Sequence, residues 1–141
     1  MFDKVQRALL EATEFVKGQA SSLGDGAKDR AYKLIDEWMQ VFPKLELYGL
    51  RLNSCALSVA ISPALEVEMI GQHELFPPEK LDEILQEVKG NPALASVFTT
   101  IRTTYNMHRK INPVFNDPLI VKIKIRISPE IKVFIGEPMI E

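Results

Sequence analysis

Aliphatic residues fall on every second position in two stretches of the chain. Leu57, Val59 and Ile61 precede Ser62-Pro63-Ala64, and Leu65, Val67 and Met69 follow it. Sixty-six residues on, Ile123, Ile125 and Ile127 precede Ser128-Pro129-Glu130, with Ile131, Val133 and Ile135 after it. A period of two is that of a strand with one buried face, and a proline, which has no N–H to donate, interrupts each run. The pattern predicts two β-hairpins. A three-residue connection would set Ile61 opposite Leu65 and Ile127 opposite Ile131, gathering each apolar set on one face. Because neither connection carries the usual glycine or asparagine, one long strand bent at the proline is the alternative.

Upstream, Leu45, Leu47, Tyr48, Leu50 and Leu52 lead into Cys55, Leu57, Val59 and Ile61 as one long predicted strand. Its apolar parity switches near Asn53-Ser54, where one extra residue in a bulge would carry the following side chains to the other face. Gly49 is read as a second distortion. Elsewhere the period is helical. Amphipathic stripes cover Phe2 to Gly18, Ala27 to Phe42 with Pro43 as its stop, Pro78 to Lys89 ahead of Gly90, and Pro92 to Lys110 behind the capping pair Asn91-Pro92. The Ser21 to Gly26 segment reads as a flexible connection. The order helix, helix, hairpin therefore occurs twice, and the 66-residue shift also sets Ile35 on Ile101 and Met39 on Tyr105. The expected fold is a single α+β domain, a tandem ααββ duplication with repeats of about 1–72 and 73–141, and an antiparallel sheet of about four strands covered by helices.

With 141 residues, 46% hydrophobic and 26% charged, the chain is large enough to bury a core without staples. A net charge of -2 argues against bulk nucleic-acid binding. The one cysteine, Cys55, cannot form an intramolecular disulfide or a thiolate cluster, and its place on the inward parity makes it a small buried hydrophobe. Asp3, Glu11 and Glu14 break the first twenty residues, so nothing there resembles a signal peptide, and no run approaches a membrane span. Cytoplasmic residence is the expectation.

The outward strand positions carry the candidate chemistry. Glu66 and Glu68 lie in the first hairpin, and Lys122, Lys124, Arg126 and Lys132 in the second. These charges either complement one another across adjacent hairpins or form a recognition face for an acidic partner or anionic lipid. Ala56, Ser58 and Ala60 would permit close approach of another helix or subunit. Trp38, Met39, Phe98 and Tyr105 are candidate walls of an apolar pocket, with an ordinary filled core as the simpler reading. No phosphate loop, paired-cysteine zinc spacing or nucleophile elbow is present, and His73 and His108, even with Glu74 and Asp117 in nearby loops, lack a clear third ligand. No catalytic, cofactor or metal residues are assigned. The expected function is a non-enzymatic binding or assembly module that engages a protein partner or its own copy through an exposed sheet face. Transport of an apolar ligand or lipid, membrane association through the N-terminal helix, and an enzyme with an unrecognised site are the alternatives.

Overall fold

A computed structural model of the chain describes residues 26–59 and 63–140. The amphipathic stretch from Phe2 to Gly18, residues 21–25 of the following connection, and the tip residues 60–62 lie outside the described residues.

Helix α1, Gly26–Met39, buries Ala31, Tyr32, Ile35, Trp38 and Met39, the stripe expected from a 3.6-residue period. It closes on tight turns, with the Gln40 N–H donating to the Glu37 carbonyl and the Val41 N–H to that of Trp38. Pro43 does not simply end this helix. It sits in the first turn of a second one, α2, Phe42–Leu47, where a missing N–H costs nothing. The strand expected from Leu45 is therefore helical at its start, because Phe42 and Leu45, three apart, reach the core from one helical face. Gly49 is the stop of α2 rather than a strand distortion. Its φ of +116° is a left-handed conformation that suits glycine. Gly49 N–H bonds the Glu46 carbonyl and Leu50 N–H the Leu45 carbonyl, while the Leu45 and Leu50 side chains are both buried.

Strand β1, Arg51–Ser58, then pairs antiparallel with β2, Ala64–Gly71, and its register slips between Leu52 and Ser54. This is the expected bulge: Leu52 and Cys55, an odd number of residues apart, both keep to the core side, opposite Met69 and Val67. After a 3₁₀ turn at His73–Leu75 come α3, Pro78–Glu87, and α4, Pro92–Ile111. The Asn91 side chain caps α4 by accepting from the Leu94 N–H at 3.2 Å, as the sequence implied. Strands β3, Leu119–Ile125, and β4, Pro129–Ile135, complete an antiparallel sheet in the order β1-β2-β3-β4.

Both prolines join hairpins, but the register differs from the expected one by four residues. Leu57 faces Leu65, and Ile123 faces Ile131. In the second hairpin the connection is Arg126-Ile127-Ser128, closed by the Arg126 N–H on the Ser128 carbonyl at 3.3 Å. Pro129 opens β4 instead of making the turn, since the first residue of an edge strand tolerates a missing donor. A four-residue slip is even, so the faces stay as read. The two hairpins share one register under the 66-residue shift, and α1 and α4 begin at Gly26 and Pro92, the same distance apart.

One face of the sheet is covered. Leu65, Val67, Met69, Val121, Ile123 and Ile125 point into a core shared with Ile35, Phe42, Ile84, Phe98 and Ile101. The α+β fold is thus a four-stranded antiparallel sheet with, among the described residues, helices on one side.

Candidate functional site

The other face of the sheet is built by the alternate residues. Cross-strand register sets them in rows: Ala56, Glu66, Lys124 and Glu130 in one, Ser54, Glu68, Lys122 and Lys132 in the next. A third row is apolar, with Ile70 half-buried and Ile120 and Phe134 buried side by side, so the accessible part of this face is the two charged rows. Lys124 Nζ lies 3.3 Å from Glu66 Oε1, and Lys122 Nζ lies 3.9 Å from Glu68 Oε2 and 5.1 Å from the centre of the Phe134 ring. The bulge contributes too, because Asn53 reaches Glu68 with its side-chain amide. The two charged rows line a shallow concavity of about 490 Å³.

The charges on this surface are interleaved. Glu66, Glu68 and Glu130 balance Lys122, Lys124 and Lys132 around the concavity, and the lysines of β3 meet the carboxylates of β2. This is the cross-strand complement weighed in the sequence, and it replaces a bare basic strand with a neutral alternating pattern. Arg126 lies beyond it, in the exposed β3–β4 turn. Exposed ion pairs contribute about 0.2 to 1 kcal/mol each, so the ladder does little to hold the fold together. What it adds is a fixed pattern of charge on an open surface.

Trp38, Met39, Phe98 and Tyr105 sit on the covered side, each at most 4% exposed. Trp38 packs on Phe42 at 6.1 Å between ring centres; Phe98 lies 5.2 Å from Tyr48 and 6.2 Å from Phe76. The open-face concavity touches none of the four; neither does a smaller one of about 320 Å³ between the end of α4 and residues 133–140. The three rings fill space against other rings, and Met39 is buried in the same core.

His73 has a definite place. Its Nε2 lies 2.8 Å from the Asn116 carbonyl oxygen, which can only accept, so Nε2 is the donor there. Nδ1 then accepts from the Tyr105 hydroxyl at 2.7 Å. Burial pushes the Tyr105 phenol well above its ordinary value, with Arg109 opposing and Asp117 adding to the shift, so it stays a donor. Phe115 packs against both histidines, 5.4 Å from His73 and 4.9 Å from His108, whose Nδ1 meets the Asn112 carbonyl oxygen. These bonds pin the 112–118 loop to the helices. Among the described residues no three His, Cys, Asp or Glu side chains are grouped to hold a metal ion, and no helix is long and apolar enough to cross a membrane. Burial raises the Cys55 thiol, which leaves it a poor nucleophile at neutral pH.

Sequence reasoning missed Asn53 as a partner for Glu68, and it passed over Ile70 and Ile120. The isoleucines had a signal, since they share the parity of Glu68 and Lys122. The His73–Tyr105 bond spans 32 residues and had none. Compared with family models, curated proteins and solved structures, the chain matches none.

Proposed function

We propose that this protein is a non-enzymatic binding or assembly module whose docking surface is the open face of the sheet. The observation that carries the reading is the contrast in cover among the described residues: helices bury one face, and the other presents an ordered Lys–Glu ladder of exposed and half-exposed side chains, bounded by the buried Ile120 and Phe134. An interleaved neutral pattern suits a protein surface that bears the opposite alternation, since charge complementarity selects partners more than it adds affinity. It is a poor match for a polyanion. A doubled ααββ unit accounts for the shared register of the hairpins.

Site-specific photo-crosslinking in the native host tests the proposal. A benzophenone side chain in place of Glu130, on the open face, is expected to capture a discrete partner, whereas the same group in place of Glu79, on α3, captures none. Capture from Glu79 alone, or equal capture from both, would overturn the assignment.

A further inference from the structure

Among the described residues the sheet has two edges, and they are defended differently. Exposed edge strands present unpaired N–H and C=O groups to any other strand, and proteins blunt them with proline and charge. Edge strand β4 has both, opening on Pro129 and carrying Glu130 and Lys132 exposed. Strand β1 has neither beyond Arg51. After the bulge at Asn53 it runs Ser54-Cys55-Ala56-Leu57-Ser58, an uncharged segment with Ser54, Ala56 and Ser58 exposed on the open face. On the helix side Leu52, Cys55 and Leu57 are only partly buried, so the apolar core reaches this edge without being closed off there.

We infer that β1 is a homotypic interface: two copies of the chain join their β1 strands antiparallel about a two-fold axis, making one continuous eight-stranded sheet. A strand added here must be apolar on one face, small on the other and uncharged. The copy of β1 meets all three conditions. Paired residues in a sheet share a face, so residue numbers opposite each other must sum to an even value. Centring the regular segment places Ala56 on the axis against its own copy, Cys55 against the partner's Leu57, and Ser54 against the partner's Ser58.

Charge permits this pairing. The nearest facing carboxylates, Glu66 of each copy, would stand three strand spacings apart, about 14 Å, which exceeds the screening length of about 8 Å at physiological salt. Each is already matched by its own Lys124. Two β4 edges would instead meet at Pro129, whose missing N–H leaves a gap in the ladder. The β1 pairing also lays the two open faces side by side on one surface, doubling the docking surface proposed above. It rests on the edge of β1 rather than on the Lys–Glu ladder, so either assignment can fail without the other.

The test uses the full chain in analytical ultracentrifugation, with amide exchange as a second readout. The unaltered chain is expected to sediment at twice the chain mass, with slow exchange at 54–58. Ala56→Lys, whose new side chain points to solvent in the monomer, is expected to halve the mass and speed that exchange while the circular dichroism stays unchanged. Ala56→Glu does the same. Mixing the two variants restores the dimer, because a lysine then meets a glutamate at the axis. A chain that stays monomeric at every concentration overturns the inference, even if some other protein protects β1. So does a dimer that survives Ala56→Lys, or charged variants that fail to recombine.

Discussion

The two faces of the sheet are made from the same strands, residue by residue in alternation, yet different physics holds each. On the helix side Val67, Met69, Val121 and Ile123 are at most 3% exposed and stabilise the fold by leaving water. On the open side Glu66, Glu68, Lys122 and Lys124 meet in ion pairs of 3.3 and 3.9 Å with water at hand. The lesson is a division of labour. The covered face accounts for stability, and the open face can change its pattern of charge at little structural cost.

Substitutions on the two sides should therefore differ in scale, and the sharpest case is Phe98→Ala. The ring is fully buried between Tyr48 and Phe76, so its loss is expected to cost about 3 to 5 kcal/mol by urea unfolding. A cost near zero would mean that the covered face is not the packed core described. His73→Ala comes next, at about 1 to 3 kcal/mol, because it strands the buried Tyr105 hydroxyl. Tyr105→Phe in that background should recover part of the loss; additive costs for the two changes would show that the bond contributes nothing. The smallest effect belongs to the open face, where Lys124→Ala should shift stability by less than about 1 kcal/mol. A cost as large as that of Phe98→Ala would erase the distinction between the faces.

How much of this was legible in the sequence follows from the range of the interactions. Alternation of Leu65, Val67 and Met69 fixed which side of each strand is wet, and Asn91-Pro92 announced the start of α4, because both signals are local. The parity switch at Asn53-Ser54 likewise located the bulge. Pro43 misled because a proline serves equally well after one helix and inside the first turn of another, and only the tertiary pull on Phe42 and Leu45 decides between them. The serine–proline pairs misled in a related way: proline marks a break in hydrogen bonding without saying on which side of it the turn falls. On the open face, parity named Glu66, Glu68, Lys122 and Lys124. Their partners depended on β2 lying beside β3, and the contact between His73 and Tyr105 on how the 112–118 loop folds back.

The central claim is that the open face is read by a partner through its charge pattern, and exchanging one ion pair tests it most directly. The doubly substituted chain Glu68→Lys/Lys122→Glu keeps an opposite-charge pair on the same two strands, leaves the net charge unchanged, and sets an acid opposite Lys132. Its affinity for the partner captured from Glu130 should be measured by calorimetry alongside its urea midpoint. The account predicts a midpoint within about 1 kcal/mol of the parent and affinity lower by about tenfold or more, since like charges then meet across the interface. Equal affinity at equal stability would contradict it.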